Sequence, residues 1–317
     1  MTPRLLLVGL GRFGTNHLRV LKQLSNERLC DLVGVVEIRK QALDPGVVAD
    51  LQVTTSLDEL LPECDAVDIV TPTDTHYEIV KRCLNAGKDV FVEKPLTSSS
   101  TEASELVALG KEHRRILGVG HILRYDSTVA TIKSMVQREE IGSVQFLDAR
   151  YMGTQGQRTD SGVLFNLAIH LVDLYSFLLD QVPLEIFAFC HKFSAESKYE
   201  DHAILNLTYP SHATGHITVT WLSSEKIRDL IVVGGRSTLA ADFARNRITL
   251  SSEMNRSPGT QMATAGAEPL VSELRNFVEC VCQRRKPISD GESAVTAIRI
   301  LERAQESSRL GRPVPFD

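Results

Sequence analysis

The six residues Gly9-Leu10-Gly11-Arg12-Phe13-Gly14 constrain this chain more than any other feature. They follow the apolar run Leu5-Leu6-Leu7-Val8, and behind them Leu18, Leu21 and Leu24 recur on one helical face. A buried strand therefore enters a glycine turn and leaves it as a helix. Gly9 permits the tight turn, Gly11 presents no side chain that would block a pyrophosphate, and Gly14 lets the helix approach the sheet. The helix N-terminus offers free N–H groups and partial positive charge to phosphates. Arg12 and Phe13 belong to the same dinucleotide-contacting loop.

Glu37 supplies the second part. It ends the next apolar run, Leu32-Val33-Gly34-Val35-Val36, about 23 residues beyond Gly14. An acidic residue at that spacing binds the adenosine ribose hydroxyls and repels a 2′-phosphate, which points to NAD. Arg39 and Lys40 follow at once and leave NADP open as the alternative.

The first third of the chain alternates strand and helix. Strands are predicted over 4–9, 32–36, 66–70, 89–92 and 116–119. Helices are predicted to about Leu24, over 56–61 and over 76–86, the last stopped by Gly87. Ser56 with Glu59 and Ser99 with Glu102 have the spacing of a capping box. Repeated β-α units imply a doubly wound parallel sheet. After about residue 122 the pattern changes. Helices are predicted over 127–138 and 166–179, and strands over 144–150, 185–191, 203–209, 215–221, 230–234 and 238–242. Consecutive strands without crossover helices read as an open, mainly antiparallel sheet. Helices over 270–284 and 293–309 close the chain. The fold class is α/β. Residues 1–122 form a dinucleotide-binding domain, and residues 123–317 an α+β domain for substrate binding and oligomerisation.

A chain of 317 residues with 43% hydrophobic and 24% charged residues has room for two cored domains. A net charge of −5 gives no long-range attraction to nucleic acid. The N-terminal apolar run is too short for a signal or spanning helix, so a cytoplasmic protein with no membrane partner is expected. Six scattered cysteines, of which only Cys280 and Cys282 lie close together, lack metal-ligand spacing, and no metal is expected.

Further motifs sit in a fixed order. Thr71-Pro72 follows a strand and His76 opens a helix. Then come Glu93-Lys94-Pro95-Leu96, Gly118-Val119-Gly120-His121 with Arg124, and Gly162-Val163-Leu164-Phe165-Asn166-Leu167-Ala168-Ile169-His170 with Asp173. Glu268-Pro269-Leu270, Ser308 and Gly311 complete the order. Together they resemble the glucose–fructose oxidoreductase/inositol dehydrogenase (Gfo/Idh/MocA) family across nearly the whole chain. The resemblance implies an N-terminal Rossmann domain and an oxidoreductase. The second-domain sheet is expected to have one face on helices, and if its other face carries alternating apolar residues, subunits pair there as a homodimer or homotetramer. It implies a cofactor site at Gly9, Gly11, Arg12, Phe13, Gly14, Glu37, Arg39, Thr71, Pro72, His76, Glu93 and Lys94. It also implies that the helix bearing His170 faces the nicotinamide, which Lys94 reaches from the Rossmann side.

The residue types suit that chemistry. Oxidising a secondary alcohol needs a base while hydride leaves carbon, and an imidazole such as that of His170 titrates near neutrality. Lys94 can stabilise charge developing on the oxygen. Asn166, one turn before His170, stands where the family usually has aspartate; it orients a neighbour but cannot take a proton. Arg124, Arg158 and Trp221 complete the expected substrate site with Asn166 and His170. The segment Arg158-Thr159-Asp160-Ser161-Gly162 looks like branches that oxidise nucleotide-linked N-acetyl sugars at ring carbon 3, and Trp221, Lys226 and Arg228 sit where those branches have a strand-loop-strand near the site. A nucleotide-linked N-acetyl hexose or its uronic acid is therefore the expected substrate. A free sugar or inositol is the first alternative. A non-catalytic protein that senses cofactor or sugar is the second, kept open by Asn166.

Overall fold

A computed structural model gives the fold and describes residues 2–39, 45–154, 161–252 and 259–316. The chain packs as two compact units. One comprises Met1–Ile122 with Glu268–Val295, and the other Leu123–Ala267 with Thr296–Asp317.

The first unit begins with β1 (Arg4–Val8), α1 (Gly14–Asn26) and β2 (Asp31–Val36). Short α2 (Pro45–Val48), β3 (Val53–Thr54) and α3 (Leu57–Leu60) follow. Then come β4 (Ala66–Ile69), α4 (His76–Asn85), β5 (Asp89–Val92), α5 (Ser100–Glu112) and β6 (Leu117–Val119). The sheet order is β3-β2-β1-β4-β5-β6, with every pairing parallel. The order reverses beside β1, the point at which a doubly wound sheet opens a crevice at its carboxyl ends. The two capping boxes differ in outcome. The Ser99 hydroxyl accepts the Thr101 N–H at 3.2 Å, one residue earlier than expected, whereas the Ser56 side chain caps nothing.

The second unit holds α6 (Ser127–Gln137), β7 (Val144–Met152) and α7 (Ile169–Leu179). Its later strands are β8 (Glu185–His191), β9 (His202–Thr208), β10 (Thr214–Thr220), β11 (Ile227–Gly234) and β12 (Thr238–Asp242). They continue as β13 (Arg247–Ser251), β14 (Thr260–Ala263) and β15 (Val314–Pro315). The sheet order is β14-β13-β12-β11-β7-β10-β9-β8-β15. Among the described residues of this sheet, only β7 and β10 pair in parallel; the other pairings are antiparallel. Leu147, Ala149 and Tyr151 of β7 are buried on the same face as Gly215, Ile217 and Val219 of β10. There α7 packs against the sheet, and the Tyr175 hydroxyl donates to the His216 carbonyl at 2.7 Å. At the β8 edge, the N–H groups of Ala188 and Cys190 donate to the hydroxyls of Ser307 and Ser308 at 3.1 and 2.8 Å, which satisfies donors that would otherwise invite another strand.

Two helices complete the chain, α8 (Pro269–Gln283) and α9 (Gly291–Leu310). Here the division differs from one cut at residue 122, because α8 returns to the first unit. The reason is its apolar stripe. Leu270, Leu274, Phe277, Val278 and Val281 share one core with Leu5, Leu7, Leu18, Leu21 and Phe91. The strand pattern also missed β3, β13, β14 and β15, which are short or exposed on one face. Among the described residues no helix is long and apolar enough to cross a membrane.

Candidate functional site

In the first unit the glycine loop is tight on one side and open on the other. Gly9 has φ of +97°, and a Cβ there would lie 2.6 Å from the Val70 carbonyl oxygen. A Cβ on Gly14 would lie 2.2 Å from the Gly9 carbonyl oxygen. Neither position admits a side chain. A Cβ on Gly11 would meet nothing nearer than Nη2 of Arg39, at 3.9 Å. That is the cradle a pyrophosphate needs: closed toward the sheet, bare toward the ligand, at the start of α1. Arg12 and Phe13 are exposed at its rim.

Glu37 is buried at the end of β2. Its Oε2 accepts the Leu10 N–H at 2.7 Å and its Oε1 accepts the Arg39 N–H at 2.9 Å. Burial pushes this carboxyl up, but those two N–H groups and the Arg39 guanidinium outweigh burial and hold it below the usual carboxylate range. The carboxylate thus braces the glycine loop and keeps its negative charge beside it. Lys40, the other basic residue raised against NAD, lies outside the described residues.

Thr71 and Pro72 follow β4 and lead into the turn Thr73–Thr75, where the Thr75 hydroxyl donates to the Pro72 carbonyl at 2.7 Å. His76 behaves differently from a ligand contact. Its Nδ1 lies 2.8 Å from the Pro95 carbonyl oxygen and its Nε2 2.9 Å from that of Thr71, and the ring is 1% exposed. Both nitrogens are turned to backbone, so His76 ties the segment after β4 to the Lys94-Pro95 turn. Lys94 itself is half-buried in that turn, after the fully buried β5. The Glu93 carboxylate accepts the Lys94 N–H at 3.1 Å.

In the second unit the expected helix over 166–179 has a different beginning. The Ile169 N–H donates to the Leu164 carbonyl five residues back, so Leu164–Ala168 forms a wide turn before α7. Such turns are costly and recur at functional sites. Asn166 sits within this turn, 6% exposed, and His170 opens the regular helix behind it, half-buried. The His170 ring lies 6.3 Å from the Tyr151 ring, centre to centre, and the Arg228 guanidinium covers the Tyr151 ring at 4.4 Å. The same guanidinium donates to the carbonyls of Met152 and Ile227, both at 3.0 Å. Trp221 is 7% exposed, and its indole N–H meets no acceptor among the described residues.

Arg124 is occupied elsewhere. Its Nε and Nη2 grip the Asp173 carboxylate at 2.9 and 2.7 Å, with the two side chains 9% and 1% exposed. The guanidinium therefore anchors α7 through Asp173 in a bidentate pair. Arg158 lies outside the described residues. Two groups were missed by sequence reasoning. Tyr151 lay just beyond the strand predicted over 144–150, and the structure extends β7 through it. Glu200 was a charge between strands, yet its Oε1 accepts the Leu164 N–H at 3.1 Å and so begins the wide turn. Burial pushes the Glu200 carboxyl above its ordinary value.

Known proteins share the sequence pattern and the fold of both units. Residues 4–121 match the model of the oxidoreductase family with NAD-binding Rossmann fold, GFO_IDH_MocA, and residues 129–240 match the GFO/IDH/MocA C-terminal domain. The chain is 25% identical to UDP-N-acetylglucosamine 3-dehydrogenase of Acidithiobacillus ferrooxidans, over 90% of each chain. It is 28% identical to scyllo-inositol 2-dehydrogenase (NAD(+)) of Bacillus subtilis, over 81% of this chain and 79% of the other. The structure of the WlbA dehydrogenase from Bordetella pertussis, in complex with NADH and UDP-GlcNAcA, superposes with a TM-score of 0.84 at 22% identity, covering 100% of this chain and 99% of the other. With both halves of the chain matched, this protein belongs to the Gfo/Idh/MocA family and is an NAD-binding oxidoreductase of the sugar and inositol type.

Proposed function

We propose that the protein moves a hydride between a ring secondary alcohol of a nucleotide-linked N-acetyl hexose, or its uronic acid, and nicotinamide. The observation that carries the substrate half is the buried indole N–H of Trp221, which has no acceptor among the described residues. A buried donor left unsatisfied costs about 1–3 kcal/mol, so its retention favours a ligand oxygen as its partner. The cation-covered Tyr151 ring beside His170 adds a half-buried positive group suited to an anionic substrate. Relatives named for a UDP-sugar support the same reading.

The roles follow from the residue types. The cofactor accepts or returns hydride when bound. Gly9, Gly11, Gly14, Arg12 and Phe13 hold its pyrophosphate, Glu37 its ribose, and Thr71 and Pro72 line its path. The charge kept on Glu37 favours NAD over NADP. His170 takes the proton of the reacting hydroxyl, Lys94 stabilises the charge left on that oxygen, and Asn166 orients its neighbour. Arg158 and Trp221 contact the substrate, and Arg124 acts through Asp173 on α7. We place the contact of a homodimer or homotetramer on the outer sheet face, where Phe189 is 54% exposed, in a cytoplasmic enzyme.

Saturation-transfer NMR with UDP-sugars and their free counterparts tests the substrate class. The expected result is transfer to the sugar and uridine protons of UDP-N-acetylglucosamine or its uronic acid. Transfer only to free sugars or cyclitols rejects the nucleotide-sugar reading and favours an inositol-type substrate.

A further inference from the structure

A second group of charges lies in the first unit, beneath the Lys94 turn. His17 comes from α1, Asp68 from β4, and Glu93 directly follows β5. Asp68 is a carboxylate inside an otherwise apolar, fully buried strand, and His17 is 0% exposed. Nδ1 of His17 makes a 2.9 Å hydrogen bond with Oδ2 of Asp68, whereas Nε2 lies 3.3 Å from Oε1 of Glu93 at ion-pair distance without a formed hydrogen bond. Both ring nitrogens therefore lie beside carboxyl groups, an arrangement that favours an imidazolium, while burial pushes the Asp68 carboxyl up and the His17 ring opposes that rise. Burial opposes the charge, but Asp68 and then Glu93 outweigh it and hold the imidazole at about 10. The ring is held edge-on by Phe13, 5.1 Å away, and tilted against Phe91.

Glu93 is fixed from two further sides. Its carboxylate accepts the Lys94 N–H at 3.1 Å, and it packs so closely on Gly120 that a Cβ there would lie 2.6 Å from it. His76 holds the far side of Lys94, with its Nδ1 2.8 Å from the Pro95 carbonyl oxygen. The chain of contacts thus runs from the helix that begins at the glycine loop, through His17, to the backbone of Lys94.

We propose that His17, as an imidazolium bridging Asp68 and Glu93, is a positioning residue that locks the Glu93 carboxylate onto the Lys94 backbone and so fixes Lys94 for the reaction. The proposal rests on the reading of Lys94 as the group that stabilises the reacting oxygen. A single buried cation sits between the two acids, so its loss removes the positive charge that holds Glu93 and lets burial push the Asp68 carboxyl up unopposed by His17.

Three measurements on the full chain test it. In the native protein without cofactor, nitrogen-15 NMR of the His17 ring is expected to show protons on both nitrogens at neutral pH; a single proton overturns the proposal, whatever the variants do. In His17→Gln, hydrogen exchange at the Lys94 amide is expected to accelerate and kcat to fall by about 10- to 100-fold, with KM and NAD affinity within about 3-fold of the native values. Adding Glu93→Gln to His17→Gln is expected to cost little more, since both changes cut one link. A folded His17→Gln protein with native kcat and native Lys94 exchange overturns the proposal. Lys94→Ala in the same assay separates the two readings: undiminished turnover there rejects the role of Lys94, while the exchange and ring-proton results still judge the network.

Discussion

Replacing His170 with alanine lowers turnover by about 10²- to 10⁴-fold and leaves NAD affinity nearly unchanged. The size follows from what a positioned general base contributes. The selectivity follows from placement, because His170 opens α7 in the second unit, whereas the glycine loop and Glu37 lie in the first. Asn166→Asp sharpens the result. A carboxylate in the wide turn before His170 favours the protonated imidazole, so the pH dependence of kcat shifts toward higher pH in that variant. Steady-state kinetics on one confirmed substrate, with NAD binding measured by calorimetry, checks both. Full activity in His170→Ala means that another group takes the proton.

Gly11→Val is expected to weaken NAD by on the order of 100-fold, or about 2.8 kcal/mol, without unfolding the protein. The two neighbouring glycines do not permit such a clean test, since a side chain at Gly9 or Gly14 collides with backbone. At Gly11 the nearest atom to an added Cβ among the described residues is Nη2 of Arg39, 3.9 Å away, so a side chain there is directed against the pyrophosphate and not against backbone. Calorimetric titration of NAD and NADP into both proteins, alongside thermal melting, reads this directly. The native protein is expected to prefer NAD through Glu37. Tighter NADP binding means that the exposed Arg39 sets the preference instead, and native NAD affinity in Gly11→Val removes the glycine loop from the cofactor site.

The dinucleotide half was legible because its signals are local. Strand, glycine turn, helix and strand-ending Glu37 all fall within about 35 residues, and each has its own steric or electrostatic reason. The Lys94 turn was legible from its position after a buried strand. What escaped depends on distant partners. Asp68 and His17 are 51 residues apart, and Arg124 and Asp173 are 49 apart, so sequence showed buried or basic residues without their counter-charges. The apolar stripe of α8 announced burial but not which core would receive it. The wide turn at Leu164–Ala168 was hidden because this stretch is apolar on nearly every side, which erases the periodicity that separates one helical pitch from another. His76 was recognisable as a motif residue, yet only the structure reveals that both its nitrogens face backbone carbonyls.

Turnover with NAD across a small sugar panel decides whether the protein oxidises a nucleotide-linked sugar. The panel holds UDP-N-acetylglucosamine, its uronic acid, free N-acetylglucosamine and myo-inositol, and the readout is the absorbance of the reduced nicotinamide. The expected result is reduction with a nucleotide-linked sugar, abolished or greatly slowed in His170→Ala. Reduction with none of these compounds, by a protein that calorimetry shows to bind NAD, contradicts it and favours a sensor that holds cofactor without turnover.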